Sequence, residues 1–305
     1  MTTPRIIPAA LLADDHDHDP SSELDRGLSY DVGTVLRRRG ALGLLGGAGL
    51  VALAGCATAA TSGGGTSSTA TASASASTSA TTAAGAVVTP ATTPTPADSV
   101  VPDETAGPYP GDGSNGKNVL DDAGVIRSDI STSIGSSERI AGVPMTVHLT
   151  VTDSTNEYAA MPGAAVYLWH CDAQGRYSMY SQGVTDQTFA RGVVETDAQG
   201  TATFTSVFPG CYAGRWPHIH FEVYKSTAEA TSSGQIVKTS QIALPQAACE
   251  QVYADSATYP QSTRNLGQLS LTTDNVFSND GGIHQLATVT GDSTSGYVVN
   301  LTIGV

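Results

Sequence analysis

Residues 209–221 read Pro-Gly-Cys-Tyr-Ala-Gly-Arg-Trp-Pro-His-Ile-His-Phe, and the run continues Glu222-Val223-Tyr224. From His218 onward the residues alternate. Side chains of an extended strand point to opposite faces in turn, so His218 and His220 share one face while Ile219, Phe221 and Val223 share the other. A strand that buries apolar groups on one side and presents two imidazoles on the other belongs in a sheet whose second face does chemistry. Just upstream lie a phenol, Tyr212, and a guanidinium, Arg215. A second phenol, Tyr177, follows the turn at Gly175 in Trp169-His170-Cys171-Asp172-Ala173-Gln174-Gly175-Arg176-Tyr177.

Two imidazoles and two phenols make a four-ligand set with no thiolate. Hard anionic oxygen donors with imidazole disfavour copper(I) and iron–sulfur clusters and favour a trivalent ion, ferric iron above all. A free tyrosine ionises near pH ~10, so ligation by a multivalent cation has to draw that value down. Taken singly, a His-x-His triplet or an isolated tyrosine is more often a hydrogen-bonded or core-edge residue; the joint pattern carries the reading. A zinc hydrolase is a poorer match, because zinc sites favour His with Cys or carboxylate and no general base is evident.

These residues resemble the intradiol ring-cleavage dioxygenases, the family of catechol and protocatechuate dioxygenases, and are most similar to an exported branch with a Gly-Arg-x-x-His-Ile-His-Phe run. Further matches are Gly175-Arg176-Tyr177, Pro209-Gly210-Cys211-Tyr212, Glu104-Thr105-Ala106-Gly107-Pro108-Tyr109, Arg127-Ser128-Asp129-Ile130 and Thr196-Asp197-Ala198-Gln199-Gly200. The resemblance implies Fe(III) held by Tyr177, Tyr212, His218 and His220, with Tyr212 axial and leaving the metal as substrate binds. It implies a small aromatic diol and O2 as partners, and a muconate-type diacid as product. Arg215 is implied to stabilise charge on the activated ring, with a structural salt bridge as its other reading; Tyr109 lines the pocket or packs in the core. The Gly-x-Tyr turn favours Tyr177 over Tyr180 as ligand. Only five residues separate Tyr212 from His218, a shorter interval than in the cytoplasmic protocatechuate enzymes, so substrate identity does not transfer. A surface-displayed β-sandwich binding module without turnover is the rival function.

The remainder of residues 101–305 is short Val-, Thr-, Tyr- and Ile-rich segments divided by Gly, Pro, Asp and Asn. Strands are expected at 145–151, 164–170, 200–208, 218–224, 285–290 and 297–303, and one short helix at 246–254. This is an all-β chain, a β-sandwich core with long loops and little helix, which is also the fold that the resemblance implies. His170 reads as a structural histidine beside Trp169. His148 and His284 have no partner pattern.

Residues 1–55 hold Arg37-Arg38-Arg39 ahead of a Leu-, Ala- and Gly-rich run, a twin-arginine signal too short and glycine-rich to span a bilayer well. It ends in Leu53-Ala54-Gly55-Cys56, which resembles a lipobox with Cys56 as the lipidated residue. The expected location is outside the cytoplasm, anchored at the outer face of the cell membrane. Asp14-Asp15-His16-Asp17-His18-Asp19 precedes the signal core and reads as a solvated tail. Residues 56–100 are an Ala/Ser/Thr/Pro-rich tether, whose ~40 residues reach roughly 35 Å. Beyond Cys56, three cysteines remain, Cys171, Cys211 and Cys249; one disulfide near the ligand turns and three reduced thiols are both open. The net charge of −14, with no basic patch, excludes a nucleic-acid partner.

Overall fold

The computed structural model describes residues 97–305. The signal, Cys56 and the tether up to residue 96 lie outside the described residues. The observed strands are β1 (Pro144–Asp153), β2 (Ala159–Ala160), β3 (Ala165–Trp169), β4 (Arg191–Glu195), β5 (Thr201–Val207), β6 (His218–Tyr224), β7 (Ile236–Ala243), β8 (Thr288–Asp292) and β9 (Gly296–Gly304). Three short helices, α1 (Thr227–Ala230), α2 (Gln246–Tyr253) and α3 (Ser262–Leu266), lie between strands. No described helix is long and apolar enough to cross a membrane.

One sheet runs β2-β1-β9-β8 with β5 also on β1; the other runs β4-β3-β6-β7. The alternation of β1 explains its place: Met145, Val147, Leu149 and Val151 are buried, and the intervening residues face out. On that outer face His148 Nδ1 meets Thr203 Oγ1 at 2.9 Å and Thr150 meets Thr201 at 2.8 Å, cross-strand pairs that fix the register with β5. The two sheets bury one core between them, with Val147, Leu149, Phe204 and Val299 from the first and Val166, Leu168, Ile219, Phe221 and Val223 from the second.

The second sheet is covered on its other face too, which is why all seven residues of β6 are buried. There Ala165, Tyr167, Trp169, Val193 and Tyr224 pack beneath Val119, Leu120, Val125 and Tyr177. A sheet buried on both faces with a polar row on one of them is where a site belongs.

The expected strand at 285–290 is displaced: the strand begins at Thr288, and Leu286 makes only an isolated bridge to Ala243. Gln285 there is spent on the site-side sheet, with its backbone carbonyl accepting from Ala243 and its amide Nε2 on Ser240 Oγ at 3.4 Å. The two-residue β2 on β1 was not expected, and neither were β4 and β7. Strands β4 and β7 carry long polar residues whose burial depends on the cover over the outer face. The three cysteines are buried free thiols, so the disulfide reading does not describe this structure.

Candidate metal centre

The register of β6 builds the site. His220 pairs with Trp169 on one side and with Gln241 on the other, and side chains across such a row share a face. Trp169 lies flat on the His220 ring, with centroids 4.9 Å apart and planes 4° apart, and Tyr167 stacks on Trp169 at 4.9 Å. This stack fixes the His220 plane.

His218 stands at the head of the same face. Its Nδ1 donates to Trp216 O at 2.6 Å, leaving Nε2 as the lone-pair nitrogen, the tautomer that a metal ligand needs. Three further donor atoms surround that nitrogen: His220 Nε2 at 3.1 Å, Tyr212 Oη at 3.2 Å and Tyr177 Oη at 3.5 Å. Two imidazole nitrogens bound at about 2.1 Å and at right angles stand about 3 Å apart, so the spacing fits a shared ion. His220 Nδ1 is buried with no hydrogen-bond partner. Its Nε2 is thus the ring's one engaged nitrogen, directed at the cluster. Among the described residues no three His, Cys, Asp or Glu side chains converge on a metal position; the convergent set is imidazole and phenol, which suits a hard trivalent ion.

Electrostatics agree with a site that expects a cation. Burial, and then the neighbouring Tyr212, push the Tyr177 phenol well above its ordinary value. Burial, with Arg215, depresses His218 to about 3; burial, then His218 and Arg215, hold His220 well below the usual imidazole range. Both imidazoles are neutral and ready to donate lone pairs, and a bound multivalent ion is what reverses the penalty on the phenolates.

The two phenols reach the centre on paired turns. Asp172 organises the first: its Oδ1 accepts from Gln174 N and Arg176 N, each at 2.9 Å, and its Oδ2 takes Arg176 Nε at 2.8 Å. The second is held from the helices, where Tyr253 Oη donates to Pro209 O, Cys211 N to Ser262 Oγ, and Asn265 Nδ2 to Cys211 O. The turns touch at two glycines. Gly175 sits at φ +82° against Tyr212 Cβ, and a Cβ on Gly210 would come within 2.6 Å of Ala173 O. Gly210→Ala is therefore expected to lower stability by about 1–3 kcal/mol, the usual cost of overpacking, measured by urea unfolding. Gly267→Ala, where an added Cβ meets nothing nearer than 3.5 Å, serves as the control and should change little.

Arg215 is 1% exposed. Its Nε pairs with Asp274 Oδ2 at 3.0 Å and its Nη2 donates to Gln241 Oε1 at 2.7 Å. Gln241 in turn donates to Thr105 O at 2.8 Å. So Arg215 has the salt bridge of its structural reading and also acts on the centre, since its charge depresses both imidazoles. Tyr109 packs its ring 5.2 Å from that of Tyr177 and 5.1 Å from that of Tyr180, over the centre rather than in the sandwich core. Tyr180 points away from the donors, with its hydroxyl on Asn115 and Gly111 N. His170 is structural, held by Ser206 Oγ at 2.8 Å and Cys171 O at 2.7 Å. His148 bonds Thr203, and His284 meets Ser99 at the far sheet.

Sequence reasoning missed Gln241, Asp274 and Arg191. Gln241 is legible only once β7 is placed beside β6. Glu104 is a further surprise: burial pushes its carboxyl up to about 7, and Gln285 and Arg215 only partly offset that. A carboxyl raised in the fold costs stability as pH climbs from its unfolded value, 4.5, to its folded value of about 7, and the cost is constant above that. Glu104→Gln should accordingly melt higher than the parent at pH 8, with the gap closing toward pH 5; equal melting at both pH values would contradict this.

Residues 127–229 match a family model described as Dioxygenase. The match is to a dioxygenase. It spans Tyr177, Tyr212, His218 and His220, and the class expected from the sequence is the class of that match. No curated protein matches the chain. Among solved structures, an intradiol ring-cleavage dioxygenase from Tetranychus urticae is 26% identical over 60% of this chain and 87% of its own, with TM-score 0.49. The dioxygenase domain of a dioxygenase carbohydrate-binding protein fusion from Streptomyces sp. SirexAA-E is 22% identical over 68% and 98%, with TM-score 0.43. Catechol 1,2-dioxygenase from Acinetobacter sp. ADP1 is 17% identical over 58% and 56%, with TM-score 0.35.

Proposed function

We propose that this chain is an Fe(III)-dependent intradiol dioxygenase that cleaves a catechol-type ring with O2 outside the cytoplasm. The observation that carries the reading is the convergence of two phenol oxygens and the His220 Nε2 nitrogen on His218 Nε2. Ferric iron, when bound, activates a chelated catechol toward dioxygen, and the bond between the two hydroxyl-bearing carbons is broken as both oxygen atoms enter the product diacid.

The chain's own residues then divide the task. Tyr177, His218 and His220 are each 3% exposed, whereas Tyr212 is half-buried. The accessible phenol is the one suited to take a proton from an incoming hydroxyl at its own oxygen, as a general base. The buried three hold fixed positions. Arg215, locked by Asp274 and Gln241, offers a guanidinium that does not reorganise as charge develops on the ring, an electrostatic contribution that preorganisation makes effective. Tyr109 roofs Tyr177 and helps to keep water out.

The twin-arginine stretch and Cys56 support export and a lipid anchor as part of the same proposal. Intact mass of membrane-extracted protein tests it: the reading requires a mature chain that starts at a lipidated Cys56.

A visible spectrum of the purified full chain, before and after anaerobic addition of catechol, tests the activity. A broad tyrosinate-to-iron band that moves to longer wavelength with catechol is expected. Protein that stays colourless and iron-free after ferric reconstitution returns the binding module to the front.

A further inference from the structure

Arg191, the first residue of β4, is 0% exposed, and its guanidinium makes five hydrogen bonds. Nη1 donates to Pro110 O at 2.7 Å and Tyr167 Oη at 3.1 Å; Nη2 donates to Tyr109 O at 2.8 Å and Ser178 O at 3.1 Å; Nε donates to Ser178 Oγ at 3.0 Å. Every acceptor is neutral, and no described carboxylate pairs with it. A buried guanidinium normally has a carboxylate partner, because leaving the charge unpaired in a low dielectric is expensive. Glu222, the buried carboxylate on the same sheet face, accepts from Tyr224 Oη at 2.7 Å. Arg191 instead spends its five N–H groups on the main chain and hydroxyls of three segments.

Those segments are the walls of the centre. Ser178 follows Tyr177 directly. Tyr109 puts its ring 5.2 Å from Tyr177. Tyr167 opens the stack that continues through Trp169 to His220. Gly111, next after Pro110, has φ +67°, and an added Cβ would lie 3.0 Å from Arg191 Nη1, so the loop comes as close to the guanidinium as a backbone can. The Tyr180 ring covers its other side, 5.4 Å from the guanidinium carbon.

We propose that Arg191 is a positioning residue of this centre: a single five-donor clamp that holds the Tyr109 loop over the Tyr177 turn and so sets the roof under which a catechol binds. It acts through Tyr109 and Tyr177 and touches neither substrate nor metal. The clamp needs the planar fork of arginine; lysine keeps the charge but has three donors on a point centre and cannot span three segments.

The inference rests on reading the four-side-chain cluster as the substrate site, so its test has one arm that needs no iron and no turnover. In the metal-free full chain, trypsin cleavage after Lys117 is followed by mass spectrometry of the fragment that begins at Asn118. Lys117 sits on the clamped loop, with its Nζ on Met179 O. Arg191→Lys should speed that cut by about tenfold or more, the change that a clamp weakened by one strong interaction gives. In the second arm, anaerobic catechol affinity of iron-loaded protein is measured in a double-mutant cycle with Tyr109→Leu. Arg191→Lys alone should weaken affinity about tenfold and should add little once Tyr109 is gone. Equal losses in both backgrounds, or an unchanged cleavage rate, overturn the proposal; iron-free wild type with a protected Lys117 would sink the activity and leave the clamp standing. If Arg191→Lys does not accumulate folded, Ser178→Ala removes one acceptor of the clamp and carries both arms.

Discussion

His220→Ala is expected to abolish stable iron retention while leaving the metal-free fold nearly as stable as the parent. The two halves of that result have separate causes. Altering groups that merely orient a metal ligand costs about 10–100-fold in affinity, so removing one of four donors should exceed ~100-fold and bleach the visible band. For the metal-free protein the balance is different. His220 Nδ1 is buried with no partner, an unpaired polar atom that costs about 1–3 kcal/mol. Deleting the ring relieves that cost but opens a cavity beneath Trp169 and removes a stacked contact, a loss of similar size. The two roughly cancel. Iron binding by titration and thermal unfolding of the metal-free protein therefore separate a ligand from a structural histidine: a variant that melts far lower, or that keeps its colour, contradicts the assignment. His170→Ala is the contrast. Both of its nitrogens are bonded, so its loss should lower stability and leave iron binding intact.

That contrast shows what the sequence made legible. The strand at His218–Tyr224 was readable to the residue, because alternation, two imidazoles and an apolar back face occupy seven consecutive positions. The two ligand turns were readable because glycine and proline mark them locally. The Arg191 clamp was not. An Arg-Gly pair at the start of a five-residue strand looks like a polar break, and its burial exists only because a loop 81 residues earlier closes over it. Strand β7, Ile-Val-Lys-Thr-Ser-Gln-Ile-Ala, failed for the same reason. Its Gln241 and Lys238 look solvent-facing until the segment at 103–105 is laid along it, with Glu104 N on Thr239 O and Asp103 paired to Lys238. Local chemistry was legible where the site draws on adjacent residues. It was silent where the site draws on partners that only the topology brings together.

Asp274 is the clearest case of such a partner, and its removal is expected to have the largest effect on stability. The carboxylate lies 59 residues beyond Arg215 and is wholly buried with it. Its Oδ2 takes Arg215 Nε at 3.0 Å and Trp216 N at 2.7 Å, while Oδ1 takes Val276 N at 2.9 Å and Phe277 N at 3.1 Å. Asp274→Ala therefore takes a carboxylate away from a buried guanidinium and removes the acceptor of three main-chain N–H groups. Breaking a buried pair from one side costs about 3–5 kcal/mol, which for a domain of this size is a fall of roughly 10 °C in Tm. The pH dependence has a definite sign. Burial by itself would raise the Asp274 carboxyl, but Arg215 and the Trp216 and Val276 N–H groups outweigh it and hold the group below its ordinary value. The stabilisation is then fully present above the unfolded carboxyl value, near 3.9, and disappears as pH falls through the lower folded value. The gap between parent and Asp274→Ala should stay constant from neutral pH to about 4 and narrow only below that. Replacing both partners with apolar residues, Arg215→Met with Asp274→Leu, should recover only the part of the loss that comes from breaking the ion pair from one side, while the Trp216, Val276 and Phe277 N–H groups still lack an acceptor. It should not recover turnover, since the guanidinium beside His218 is gone. A double variant that is stable and also turns over catechol at the parent rate would reduce Arg215 to a structural residue; a stable, iron-binding and slow one assigns its charge to the chemistry.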